Sequence, residues 1–136
     1  MATVSVTSSP LILLVDDFSD ALEMYAEYLR YRGFRVATAA SGAQAVTVAS
    51  PAERPAIILM DLEMREMSGT EALRVLRANP ALADVPILAF TAHALVAQHI
   101  EAMRVGFDGV IPKPCLPDDL VTLIERYLNR PHRATA

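Results

Sequence analysis

Tryptophan is absent and cysteine occurs once, at Cys115. A lone thiol excludes an internal disulfide and fits a reducing cytoplasm. With no evident activating base nearby in sequence, Cys115 reads as a small packing residue rather than a nucleophile. Long apolar runs are missing too. None approaches the ~18 residues that cross a bilayer, and Leu11 to Val15 is halted by Asp16-Asp17, so no membrane partner is expected. Met1 to Pro10 has no positive n-region and no apolar stretch before a small-residue cleavage site, so no signal peptide is expected. There is no basic excess. The net charge is −4, which argues against a nucleic-acid-binding face. Lysine itself is scarce: Lys113 is the only one, and the rest of the 12 Lys+Arg residues are arginines. Arg30, Arg32 and Arg35 come nearest to a cluster and read as a solvated helix end.

What is present is a chain of 136 residues, 53% hydrophobic, large enough for one domain with a real core. Its pattern alternates strand with helix. Leu11 to Val15 is a short continuous apolar run, as in a strand buried on both faces. Leu22, Tyr25, Ala26 and Leu29 then recur at helical spacing, and Gly33 can end that helix. Phe34 to Ala39 reads as a second strand, and Ser41 to Gln44 has capping-box spacing for a short helix through about Ala49. Ala56 to Met60 is another buried run, and Gly69 to Ala78 is helical with Leu73 and Leu76 inward, stopped by Asn79-Pro80. Val85 to Phe90 is the fourth strand. Val96, Ile100 and Met103 are expected to line the inner face of a fourth helix, with Gly106 at its C-terminal cap. Val110-Ile111 makes a brief fifth strand, and Pro112, which cannot donate to a ladder, places it at a sheet edge.

Pro117, Asp118 and Asp119 suit a first helical turn, which Leu120, Leu123, Ile124, Tyr127 and Leu128 carry to about Asn129. The domain therefore runs from 10 to 129, with frayed tails at 1–9 and 130–136. Five such units with short links predict an α/β fold, a doubly wound parallel sheet covered on both faces. No output domain fits after Asn129, so a stand-alone domain is expected.

Strand one ends in Asp16-Asp17, strand three in Asp61, strand four in Thr91 and strand five in Lys113. In an open parallel sheet the carboxyl ends of the strands share one edge, where ligands bind. Singly, each residue is an ordinary turn or cap residue. Together, three carboxylates repel unless some stay protonated or a cation joins them. A hard divalent ion resolves the conflict, and magnesium takes one or two carboxylates plus phosphate oxygens. An aspartate beside such an ion and an ammonium is poised to attack phosphorus and form an acyl phosphate. Lysine and metal would neutralise the transferring group, and the threonine hydroxyl can donate to it. Residue chemistry alone thus points to a phosphoacceptor aspartate.

With Asp16-Asp17, Asp61-Leu62-Glu63-Met64 leading to Gly69, Thr91-Ala92 and Lys113-Pro114 at these intervals, the chain resembles the receiver domains of two-component response regulators. The resemblance spans Leu11 to Leu128. It implies the chemotaxis-regulator, flavodoxin-like (βα)5 sandwich with strand order 2-1-3-4-5. It also implies phosphorylation of Asp61 by a histidine kinase or histidine phosphotransfer protein, assisted by Thr91 and Lys113. Magnesium or manganese would be held by Asp17, Asp61 and the Glu63 main-chain carbonyl, with Asp16 acting through water. A cis Lys113–Pro114 bond is implied as well. Glu63 and His93 occupy positions that tune the phosphoryl lifetime in such proteins. No catalysis on a separate substrate is implied, only metal-dependent self-phosphorylation and autodephosphorylation. The downstream target would bind through helix four, strand five and helix five.

Two positions depart from the pattern. Arg65 follows Met64 where the family commonly has proline, and Val110 stands at the usual switch aromatic, leaving no ring to reorient. An adaptor of the same fold that works without phosphorylation is therefore the second expectation. An aspartyl-phosphate phosphatase of the haloacid-dehalogenase type fits less well, because those resemble Asp-x-Asp and carry a cap insertion. A flavodoxin-like cofactor binder lacks a phosphate-cradling loop after strand one.

Overall fold

The computed structural model describes residues 9–49, 54–92 and 95–129. The expected tails lie outside them, except Ser9, whose carbonyl accepts from Arg35 Nε at 3.0 Å. Strands β1 (Leu11–Val15), β2 (Arg35–Ala39), β3 (Ile57–Met60), β4 (Ile87–Thr91) and β5 (Gly109–Pro112) alternate with helices α1 (Ser19–Tyr31), α2 (Gly42–Val48), α3 (Gly69–Arg77), α4 (Val96–Val105) and α5 (Pro117–Leu128). All strand pairs are parallel, in the order β2-β1-β3-β4-β5. The fold is the flavodoxin-like α/β sandwich expected from the sequence. β5 is an edge strand, so Pro112 leaves no ladder position without a donor.

The core divides by side-chain alternation along the strands. Ile12, Leu14, Ile57, Leu59, Leu88, Phe90 and Ile111 pack with Leu22, Tyr25 and Leu29 of α1 and Leu120 and Ile124 of α5. Leu13, Val15, Ile58, Met60, Ile87 and Ala89 pack on the other face with Ala45, Leu73, Leu76 and Ala102, from α2, α3 and α4. Right-handed crossovers explain the division: β1-to-β2 runs one way across the sheet and the later connections run the other way. Each such aliphatic side chain, when fully buried, contributes about 1.5–3 kcal/mol.

Local chemistry sets the element ends. Ser41 Oγ accepts from Gln44 N at 3.1 Å, while Gln44 Oε1 accepts from Ala40 N, so the expected box is closed one residue early. A complete capping box, which sequence reading passed over, joins Ser68 and Glu71 at the start of α3. Gly106, at φ +122, caps α4 as expected. β4 begins two residues later than predicted, because the Val85 carbonyl takes an Arg77 guanidinium N–H at 2.7 Å instead of a ladder partner.

One expectation fails. Val96, Ile100 and Met103 do form one stripe of α4, but it faces solvent, with exposures of 76%, 62% and 44%. Ala102 is buried and Val105 packs against the core from the opposite side of the helix. Periodicity identifies a stripe; it does not say which stripe meets the sheet.

Gly69 marks a close backbone approach. A Cβ there would sit 2.5 Å from the Asp61 carbonyl oxygen and 2.9 Å from Leu62 Cα. Gly69→Ala should therefore cost about 1–3 kcal/mol, read as a lowered urea midpoint at unchanged slope.

Candidate functional site

Asp16 and Asp17 follow β1, Asp61 follows β3, Thr91 ends β4 and Lys113 follows β5. Strand order reverses beside β1, so β1 and β3 open the crevice in which ligands bind in this class of sheet. One ligand oxygen from each of Asp16, Asp17 and Asp61 lies within 4.8 Å of the others. The three carboxylates and the lysine thus converge as the sequence predicts. Lys113 Nζ donates to Asp16 Oδ2 and lies 3.8 Å from Asp61 Oδ2. Its backbone N–H donates to the Thr91 carbonyl at 2.9 Å, and the Lys113–Pro114 bond is cis, as the resemblance implied.

Asp16 is buried, with its other oxygen accepting from Phe18 N at 2.9 Å. Asp61 is half-buried, and its Oδ1 accepts from Glu63 N at 3.2 Å. Burial pushes the Asp61 carboxyl above the usual aspartate range. The Glu63 N–H and Lys113 pull it down, Asp16 pushes it up, and the buried Thr91 hydrogen-bonds it and lowers it slightly. Loss of water is therefore the larger cause, ahead of the carboxylate repulsion that sequence reasoning stressed. Asp17, nearer the rim, accepts from Arg65 N at 3.0 Å and Arg65 Nε at 3.4 Å, both at Oδ2.

Glu63 is exposed and lines an open groove with Asp17, Phe18, Met64 and Arg65. His93 lies outside the described residues, as does His132. Val110 is half-buried against the core on the α4 side. Cys115 is half-buried with its thiol pushed up, by burial first and then by Asp119, which keeps it a packing residue.

Sequence reasoning missed the support beneath Lys113. The Phe90 ring lies 5.1 Å from the ammonium, within cation–π range. Tyr25 meets Phe90 edge-on at 5.0 Å and donates its hydroxyl to the Cys115 carbonyl at 2.8 Å. The available signal was a tyrosine set in an otherwise aliphatic face of α1.

Because the folded-state pKa of Asp61 is raised, the native chain binds a proton more tightly than the unfolded one. Stability is lost as pH climbs from the ordinary aspartate value through the raised one. At neutral pH in EDTA, Asp61→Asn should melt a few degrees above wild type, and magnesium should stabilise wild type more than the variant. Thermal denaturation with and without the metal reads both effects.

Comparison with known proteins agrees with this geometry. Residues 12–125 match the family model of the response regulator receiver domain. The chain is 35% identical over 123 residues to the transcriptional regulatory protein PrrA of Mycobacterium tuberculosis, covering 90% of this chain and 52% of that protein. It therefore spans about half the length of the curated relatives it matches. Among solved structures, chemotaxis protein CheY4 of Vibrio cholerae superposes with a TM-score of 0.83 at 29% identity, covering 88% of this chain and 99% of that one. The receiver domain of sensor histidine kinase PA1611 of Pseudomonas aeruginosa matches at 32% identity and a TM-score of 0.82, over 90% of this chain and all of that one. That structure has a magnesium ion coordinated in its active-site cleft. The chain belongs to the response regulator receiver domain family.

Proposed function

We propose that this receiver domain takes a phosphoryl group on Asp61 from the phosphohistidine of a histidine kinase or phosphotransfer protein and signals by binding a target protein. The observation that carries the reading is Asp61 itself. It is a half-buried carboxylate grouped with Asp16 and Asp17, with an ammonium 3.8 Å away. An Asp61 oxygen attacks phosphorus, the P–N bond to the histidine breaks, and an acyl phosphate O–P bond forms. Lys113, held by Asp16 and seated over Phe90, offsets charge on the transferring group, and Thr91, whose side chain hydrogen-bonds Asp61, would donate to it.

The carboxylates of Asp16, Asp17 and Asp61 form an oxygen-only donor set that fits a hard divalent ion, magnesium or manganese, together with the Glu63 carbonyl the family uses. Such an ion, when bound, would neutralise phosphoryl oxygens. No separate substrate is turned over in this reading. None of the helices among the described residues is long and apolar enough to cross a membrane, and a cytoplasmic site of action follows from kinase pairing.

For output, the exposed stripe of Leu95, Val96, Ile100 and Met103 supports target contact through α4, β5 and α5. Val110 favours a second reading, an adaptor whose partner affinity ignores phosphorylation. Equal affinity with and without a beryllofluoride mimic would establish that alternative; a difference of about tenfold or more would establish the switch.

Acetyl phosphate with magnesium should add one base-labile phosphoryl group to wild type and none to Asp61→Asn, as read by intact mass. An unmodified wild type would reject the assignment. Lys113→Ala, checked for folding because it strips buried Asp16 of its cation, should be phosphorylated roughly tenfold more slowly or worse.

A further inference from the structure

Each of the three clustered carboxylates has a cationic neighbour. Asp16 and Asp61 share Lys113, and Asp17 is served by Arg65. Arg65 approaches Asp17 twice, with its backbone N–H at 3.0 Å and its guanidinium Nε at 3.4 Å, and both donors meet the same oxygen, Oδ2. A proline at this position would supply neither donor. The two contacts are of different kinds. The backbone N–H is neutral and fixed to a loop whose far end is held by Gly69 N on the Leu62 carbonyl at 3.1 Å. The guanidinium carries the charge on a stem that is 84% exposed, while Asp17 is 23% exposed. The charged contact can therefore open to water without moving the loop.

We propose that Arg65 is a resident counter-cation of the metal site, one that competes with the divalent ion for Asp17. This rests on the reading of Asp16, Asp17 and Asp61 as the metal ligands. Asp17 Oδ2, holding two donors, has little lone-pair density left for a metal, and the guanidinium 3.4 Å from that oxygen repels a dication approaching either oxygen of Asp17. Lys113 pairs with Asp16 and Asp61, and Arg65 with Asp17, so Arg65 is the cation whose departure opens the site on the rim side. Arg65 thereby sets the metal concentration at which the domain becomes competent. Its effect falls on metal binding, before any phosphoryl group arrives.

The test is direct metal binding to the full, unphosphorylated chain. Magnesium is titrated by calorimetry, and free manganese is counted by electron paramagnetic resonance as a second readout. Arg65→Ala should bind either ion about threefold more tightly than wild type at low ionic strength, the size expected for removal of an exposed ion pair. The gap should narrow in high salt, which screens the guanidinium in the wild type. Arg65→Lys, which keeps the charge, should fall between the two. Adding Asp17→Asn should erase the gain, because the contested carboxylate is gone. If Arg65→Ala is not folded by circular dichroism, Arg65→Gln is titrated in its place, with the same expectation. Equal or weaker binding by the charge-free variant overturns the proposal, weaker binding meaning that Arg65 organises Asp17 for the metal. Absence of binding in wild type and every variant overturns the metal-site reading itself, a result distinct from binding without a difference.

Discussion

The ammonium of Lys113 stands between two carboxylates that come from different strands, donating to Asp16 and facing Asp61. Asp16 is buried, and a buried carboxylate without a cation is strongly unfavourable. That charge therefore offsets the cost of bringing the carboxyl ends of β1, β3 and β5 together. A point charge on a flexible stem suits a position shared between two partners, where a planar guanidinium fork would commit to one. The surroundings hold the stem there: the Phe90 ring below, the Thr91 carbonyl on the backbone N–H, and Tyr25 anchoring the following loop.

The rest of the architecture serves that edge at a distance. Two differently composed cores clamp the sheet, so the strand ends are fixed relative to one another by packing that excludes water. Gly69 lets α3 start against the Asp61 backbone, which keeps the loop after the acidic residue short. On the opposite edge, Arg77 reaches the carbonyls of Leu82 and Val85 and pairs with Asp108, while Asp108 also accepts from Ile87 N at 2.9 Å. That network ties α3, β4 and the approach to β5 together, and with them the separation of Thr91 and Lys113.

Family membership and individual character divide cleanly along these lines. The acid cluster, the threonine and the lysine lie within the stretch that matches the family model and gather at one edge of the sheet. Arg65 and Val110 depart from the pattern read in the sequence, and α4 adds an outward apolar stripe. Arg65 and the α4 stripe lie on the rim or surface, where substitution changes affinity and coupling while leaving packing intact, whereas Val110 is half-buried against the core.

Much was legible in the sequence because the relevant physics is local or periodic. Apolar runs stopped by aspartate mark strands of a covered parallel sheet, and the strand rule then gathers Asp16, Asp17, Asp61, Thr91 and Lys113 at one edge. What sequence could not decide depends on contacts between distant segments. The orientation of the α4 stripe, the pairing of Arg77 with Asp108, the seat of Lys113 over Phe90 and the grip of Arg65 on Asp17 are all set by how finished elements meet. The leading cause of the raised Asp61 pKa belongs with them, since loss of water is a property of the packed crevice. Pattern by itself determined which residues gather at the carboxyl edge of the sheet; only the assembled sheet and helices decided which charges touch, because a side chain's partners are a matter of three-dimensional distance.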